Sequence, residues 1–246
     1  MSTEARRSAE FTPFEQLRFA REVLSKEAQA IHGLADSLQE EFCQAVEMVA
    51  QCRGNVIVTG MGKAGLVGQK IMATLASTGT PSHFLHPGEA VHGDLGRLQP
   101  HDLVLALSFS GETGEITNLL LSLTDFKTPL IAITANAHST LGKAANITLS
   151  LGVIEEACSL GLAPSTSTTA MLALGDALAL VVSRLKGFEA KDFARFHPGG
   201  SLGRKLASVE EVMRPLNECR VAQQSQTVRQ VMVQVSRPGR RTGAIM

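Results

Sequence analysis

The sequence predicts an α/β protein of three layers, a doubly wound parallel sheet flanked by helices, on three observations. Short, wholly apolar runs recur from Asn55 onward, Gly-rich turns follow them, and longer helical stretches separate them. Strands with one wet face alternate apolar and polar residues, whereas strands buried on both faces read as unbroken apolar runs. The pattern therefore selects a parallel sheet with helices on both sides. The expected strands are 55–59 (NVIVT), 82–85, 103–108, 129–134 and 147–151.

Before the first strand, Phe14, Leu17, Ala20, Leu24, Ala28, Ile31, Leu34 and Leu38 recur at spacings of mostly three and four among charged residues. This is the period of an amphipathic helix, and two helices are expected with a break near His32-Gly33. After the last strand, STTAMLALGDALALVVSRLK predicts a long helix from about Ser167 to Lys186. Apolar nearly all round, it is expected to be buried in the protein or against another subunit. The expected organisation is a helical segment over 1–50, the α/β domain over 51–207 and a tail over 208–246.

A chain of 246 residues can bury a core without disulfides. Cys43, Cys52, Cys158 and Cys219 lie far apart with no CxxC spacing, which suits reduced thiols better than a disulfide framework or a zinc site and points to the cytoplasm. No uninterrupted apolar run reaches the roughly 18–20 residues of a membrane span, and the opening MSTEARRSAEFTPFEQ lacks the apolar core of a signal peptide, so neither membrane nor export is expected. The 23 Lys and Arg balance 23 Asp and Glu, and ten Phe without Trp or Tyr offer few stacking platforms, so nucleic acid is not an expected partner. A small anion needs only a few backbone N–H groups and one Lys.

In such folds ligands sit at the carboxyl ends of the strands. Four stretches there carry chemistry. Gly60-Met61-Gly62-Lys63-Ala64-Gly65 has the form GxGxxG, yet SHFLH, the next strand, ends without the acidic residue that binds a ribose. A Walker loop fails as well, because Ile57 stands where its first glycine belongs and Ala64 where its hydroxyl belongs. A glycine turn with one cation at a helix start remains. Ser108-Phe109-Ser110-Gly111-Glu112-Thr113-Gly114-Glu115 joins a strand to a helix, and S-x-S-G-x-T supplies more hydroxyls than capping requires, so it is expected to bind phosphate. Glu115 is expected one or two positions into the following helix, where the dipole favours a carboxylate in any protein.

The third stretch is Glu155-Glu156-Ala157-Cys158 with Ser165-Thr166-Ser167-Thr168-Thr169, five hydroxyls opening the long helix. Such a run is a tempting phosphate ligand and equally an ordinary loop. The fourth is Phe196-His197-Pro198-Gly199-Gly200, a His before a rigid turn, more often a structural hydrogen-bonder than a catalyst.

Together GMGKAG, LASTGTPSHFLHPGEAVHGDLG, SFSGETGEI, EACSLGLAPSTSTTAMLALGDALA and FHPGGSLGRKL resemble, in order and spacing over about residues 50–207, the sugar isomerase (SIS) domain and more narrowly the arabinose 5-phosphate isomerases. The resemblance implies interconversion of D-ribulose 5-phosphate and D-arabinose 5-phosphate for Kdo and lipopolysaccharide synthesis, by a cytoplasmic homotetramer with no cofactor and no required metal. It places the catalytic set on Lys63, Glu115, Glu156 and His197, with Gly62, Ser108, Ser110, Thr113, His92, Ser165, Thr166 and Ser167 as substrate and phosphate contacts. Ala64 departs from relatives that carry Ser there, which removes one hydroxyl contact.

Aldose–ketose isomerisation needs a base, an acid and a cation beside an enediolate. The sequence leaves Glu156 and Glu115 open as the base, with a pKa raised by partial burial, while Lys63 offsets the oxyanion and His197 assists ring opening or proton transfer at oxygen. His86, His92 and Asp94 invite a metal, but their spacing matches no structural zinc pattern; zinc at His92 is expected to inhibit. From Ser208, VEEVMRP resembles the opening of a CBS domain, which the 39 residues of 208–246 do not complete. Two other classes fit parts of the pattern: a phosphosugar-sensing SIS module without catalysis, and an SIS isomerase of another sugar phosphate. The first fifty residues show no helix-turn-helix or basic recognition helix, which disfavours the sensor.

Overall fold

A capping box starts the described chain: Thr12 Oγ1 accepts from the Glu15 N–H (3.3 Å), the Glu15 carboxylate accepts from the Thr12 N–H (2.9 Å), and Pro13 occupies the first helical position. The computed structural model describes residues 11–197, 208–215, 218–219 and 221–235. Two units divide the chain, Met1–Phe193 and Ala194–Met246, and each is described by itself.

Helix α1 runs Pro13–Ser37 and α2 Glu40–Gln51. The break therefore falls at Leu38-Gln39, not at His32-Gly33 as expected. Leu38 and Gln39 are both extended, and α1 passes through Gly33 unbroken. One helical glycine costs about 1 kcal/mol relative to Ala, a penalty that packing of α1 on the long C-terminal helix offsets. Leu34, next to that glycine, is the only α1 side chain among the described residues that is buried; Phe14, Leu17 and Leu24 of the same apolar stripe are exposed.

The sheet contains β1 (Val56–Gly60), β2 (Ser82–Phe84), β3 (Leu103–Leu107), β4 (Leu130–Thr134) and β5 (Ile147–Ser150), all parallel, in the order β2-β1-β3-β4-β5. Each lies within a residue of its expected bounds. Between them run α3 (Gly62–Ser77), the short α4 (Pro87–Ala90) with a 3-10 turn at Asp94–Arg97, α5 (Gly114–Asp125) and α6 (Thr140–Ala144); α7 (Thr166–Leu185) and α8 (Ala190–Phe196) follow. In the second unit α9 spans Val209–Val212 and α10 Val228–Val235. Residues 236–246 of the tail lie outside the described residues.

Strand alternation sorts the apolar residues into two cores. Val56, Val58, Leu103, Leu105, Leu107, Ile131 and Ile133 face α1, α2, α3 and α7. Ile57, Val104, Ala106, Leu130 and Ala132 face the other way, onto Ala90, Ile116, Leu119 and Leu141 of α4, α5 and α6. With right-handed crossovers, connections that leave in opposite directions along the sheet put their helices on opposite faces. β1 and β3 do so, which opens a crevice between their carboxyl ends.

Helix α7 is long and apolar enough to cross a membrane by length and composition, although Asp176 and several hydroxyls interrupt its apolar residues. Ala170, Met171, Leu174, Leu178, Ala179 and Val182 are buried in the first core, which accounts for much of that apolarity. It lies beside α3 with Gly175 against Ile71, and with Asp176 paired to Lys70 and accepting from Thr74 Oγ1 (3.2 Å). Gly175 and Ile71 are equally far into their helices, and past the other ends Lys186 Nζ donates to Thr80 Oγ1 (3.1 Å), so the two helices run in the same sense.

The third glycine of GxGxxG sets how closely α3 approaches β1: a Cβ on Gly65 would sit 2.5 Å from the Gly60 carbonyl oxygen and 3.1 Å from its carbon. Backbone cannot yield as a side-chain end can. Gly65→Ala is therefore expected to lower stability by about 1–3 kcal/mol despite the better helix propensity of Ala. A denaturation midpoint equal to or above the parent's would contradict this contact.

Candidate active site

Three helices, α3, α5 and α7, begin at the carboxyl edge of the sheet, and none of them is capped by its own N-cap side chain. The first-turn N–H groups of a helix must find partners, and they attract anions. What differs among the three is who meets that demand.

At α5 the cradle is built from the loop upward. Ser108 is buried at the end of β3, its hydroxyl 2.8 Å from Thr113 Oγ1 and accepting from the Gly111 N–H (3.1 Å). Thr113 is the N-cap, and its hydroxyl is turned to Ser108 rather than to its own helix, so the α5 N–H groups have no side-chain cap. Ser110 is exposed, its oxygen accepting from the Glu112 N–H (3.2 Å). Gly111 takes φ +70°, and a Cβ there would run into Ser139, so only glycine permits this turn. Glu115 is the second residue of α5, exposed, and bonded to nothing among the described residues.

Across the β1–β3 crevice, Gly62 opens α3 at φ +58° and Lys63 follows, exposed, with no side-chain cap at the helix start. Cation and carboxylate thus stand at the starts of two helices on neighbouring strands. Parallel strands lie about 4.8 Å apart.

At α7 the demand is met internally. Glu156 accepts from the Ser165 N–H (2.8 Å) and the Thr166 N–H (2.9 Å). Burial acts to raise its pKa, but hydrogen bonds from the Ser167 hydroxyl and from the backbone of Ser165, Ser167 and Thr166 outweigh it and hold the carboxyl below its ordinary value. This corrects the expected upward shift: carboxylate-directed donors outweigh desolvation. Thr166 and Ser167 are buried, Thr166 Oγ1 accepting from the Ala157 N–H (3.0 Å), so both hold this loop together. The Ser165 hydroxyl is buried without a hydrogen-bond partner among the described residues. In the same loop the backbone N–H groups of Ala163, Leu160 and Leu162 hold the Cys158 thiol below its ordinary pKa.

His86 and His92 are exposed on the β2–β3 connection, His86 as the N-cap of α4. Asp94 pairs with Arg97 (3.4 Å) in the 3-10 turn. No group of three His, Cys, Asp or Glu among the described residues is placed to hold a metal ion. His197 follows α8 in the second unit, its N–H donating to the Ala194 carbonyl (3.2 Å); PGGSLGRKL, from Pro198 to Leu206, lies outside the described residues. Sequence reasoning gave Glu112 no role, yet its carboxylate accepts from the Thr140 N–H (2.8 Å) and Thr140 Oγ1 (2.7 Å), bonds that hold its pKa below the ordinary value. Its partner stands 28 residues away, so no local signal could have shown it.

With this fold and this arrangement of helix starts, the chain belongs to the SIS-domain family, whose profile matches residues 48–181. It is 47% identical over 218 residues to the arabinose 5-phosphate isomerase KdsD of Yersinia pestis, covering 88% of this chain and 66% of that protein. Against the enzyme of the same name from Escherichia coli K12 it is 45% identical over 225 residues, covering 91% and 69%. The chain thus spans about two thirds of the length of these relatives. An Escherichia coli CFT073 protein solved in complex with A5P superposes with a TM-score of 0.74 at 41% identity, covering 76% of this chain and all of that one.

The Glu156 shift fixes a sign. A carboxyl whose folded pKa lies below its unfolded one, near 4.5, adds stability at pH above the unfolded value and loses it as pH falls through the folded value. Glu156→Gln is therefore expected to melt lower than the parent at pH 7. The two melting curves should converge as pH drops below 4. A gap independent of pH would show that the carboxylate charge is not what holds α7.

Proposed function

We propose that this chain interconverts D-ribulose 5-phosphate and D-arabinose 5-phosphate through an enediolate. One observation carries the reading: two uncapped helix starts flank the β1–β3 crevice, α5 with its hydroxyl cradle and Glu115, α3 with Lys63. The two KdsD relatives are arabinose 5-phosphate isomerases by name, and the A5P complex of the Escherichia coli CFT073 protein supports the same substrate.

In this mechanism the phosphate sits in the 108–113 cradle on the N–H groups of α5, which need no net positive charge to bind it. A base removes a proton from C1 of the ketose, the electron pair moves into a C1–C2 double bond, and the former carbonyl oxygen becomes an oxyanion offset by Lys63. Transfer of the O1 proton to the oxyanion at O2 and return of the carbon-bound proton to C2, as C1 becomes the carbonyl, give the aldose. Of the two carboxylates, Glu115 is the base, because Glu156 already accepts from the N–H groups of α7, which lowers its basicity. Glu156 instead fixes the loop carrying Ser165. The role of His197 in ring opening or proton transfer at oxygen comes from the family resemblance.

The finer reading extends to assembly and place. Exposed Phe14, Leu17 and Leu24 on α1, with Val153, Leu160 and Leu162 on the β5–α7 loop, support association into a homotetramer, since water disfavours such faces. The chain would act in the cytoplasm, supplying sugar for lipopolysaccharide.

The purified chain is to be incubated with D-ribulose 5-phosphate in deuterated buffer and followed by NMR. Arabinose 5-phosphate is expected, with deuterium at C2. Glu115→Gln should slow turnover by roughly 10² to 10⁴, the usual share of general acid–base catalysis. Binding without exchange on any sugar phosphate would favour a sensor, and full turnover in Glu115→Gln would remove it as the base.

A further inference from the structure

The cradle that binds the phosphate in the proposed reaction is not rigid by its own bonds alone. Within it, Ser108 meets Thr113 and Gly111, and Ser110 meets the backbone of Glu112. These ties close the turn on itself but leave it free to tilt as a body above the sheet. Its tilt decides where the hydroxyls point and whether they aim at the same atom as the N–H groups of α5.

Four contacts to the next β/α connection fix that tilt. The Phe109 carbonyl accepts from the Ala135 N–H (2.9 Å) and from Thr134 Oγ1 (3.1 Å), and the Gly111 carbonyl accepts from the Leu141 N–H (3.0 Å). These three use loop backbone and need no particular loop side chain. The fourth is made by Glu112, which is exposed and points away from the cradle. Its two oxygens take separate donors on Thr140, the N–H at 2.8 Å and Oγ1 at 2.7 Å. Paired bonds to both oxygens of a carboxylate fix its orientation as well as its distance. Glu112 also lies between the two groups that matter: its own N–H is bonded to Ser110, and Thr113 follows it directly.

We infer that Glu112 and Thr140 are a positioning pair for substrate, setting the orientation of the 108–113 loop by clamping it to the start of α6, without touching the sugar phosphate. This rests on the assignment of that loop as the phosphate cradle in the proposed function. Ser139 caps α6 at a different donor, its hydroxyl accepting from the Gly142 N–H (3.1 Å), so the Glu112 bonds to Thr140 both satisfy the first N–H of α6 and tie that helix start to the 108–113 loop.

The pair predicts a split between binding and chemistry. Glu112→Ala removes both bonds, and Thr140→Val removes the one from Oγ1. Hydrogen bonds of this kind are worth a few-fold to tenfold each. Glu112→Ala is expected to raise Kd and KM for arabinose 5-phosphate roughly tenfold, and Thr140→Val roughly threefold. kcat should stay within about twofold, because Lys63 in α3 and Glu115 inside α5 lie outside the 108–113 loop that the pair orients. The double variant should bind no worse than Glu112→Ala alone, since the two changes break one interaction. Thr140→Ser keeps both donors and, unlike Thr140→Val, should retain parental values.

Binding is read by ligand-observed NMR with arabinose 5-phosphate and, separately, with inorganic phosphate, and melting curves of all variants are recorded alongside. Weaker binding of both probes in Glu112→Ala and in Thr140→Val, with parental binding in Thr140→Ser, supports the pair. Parental affinity in Glu112→Ala overturns it, as does a loss that is additive in the double variant, or one that tracks melting temperature alone. If the parent binds the sugar phosphate without turning it over, the proposed reaction fails, while the positioning role is still decided by the Kd values.

Discussion

The crevice between β1 and β3 exists because two neighbouring parallel strands send their crossovers in opposite directions, and right-handed crossovers then place α3 and α5 on opposite faces. Everything chemical in this chain depends on that split. It brings two helix starts to one edge of the sheet without packing them against each other, so each keeps N–H groups free for a ligand. A turn from each side then places a cation at Lys63 and a carboxylate at Glu115, the two groups the proposed reaction uses.

The long helix α7 is the second support. It covers the sheet on the α3 side, where Gly175 fits against Ile71. Its own N–H groups are satisfied by Glu156, so the third helix start is not an anion seat. The lowered Glu156 pKa and the buried, partnerless Ser165 hydroxyl are two consequences of one arrangement: the carboxylate takes the backbone donors and leaves the hydroxyl over.

Several functional side chains act on loops instead of on ligand. Ser108, Thr113, Thr166 and Ser167 spend hydroxyl oxygens on neighbouring loop groups, and Glu112 spends its carboxylate on Thr140. A phosphate site made of backbone N–H groups needs such fixation, because the donors are only as well placed as the turn that carries them. On the proposed reading, this is how a neutral chain holds a sugar phosphate with one nearby lysine.

The sequence by itself determined the sheet, its helices and the stretches that carry chemistry, because unbroken apolar runs, glycine turns and hydroxyl-rich helix starts are local patterns set by backbone geometry and burial. It placed Glu115 near the start of α5 and the hydroxyl run at the start of α7. Tertiary structure alone decided the rest. Whether α1 ends at Gly33 depends on packing against α7, more than a hundred residues on. Whether Glu156 is a free base or a tied cap depends on where Ser165 and Thr166 turn their N–H groups, and partial burial gave the wrong sign because it counts desolvation without the donors. The Glu112–Thr140 clamp is likewise invisible along the chain, since a carboxylate and a threonine 28 residues apart meet only once β3 and β4 lie side by side. Local sequence fixes which groups are present; distance, orientation and hydrogen-bond competition between strands fix what they do.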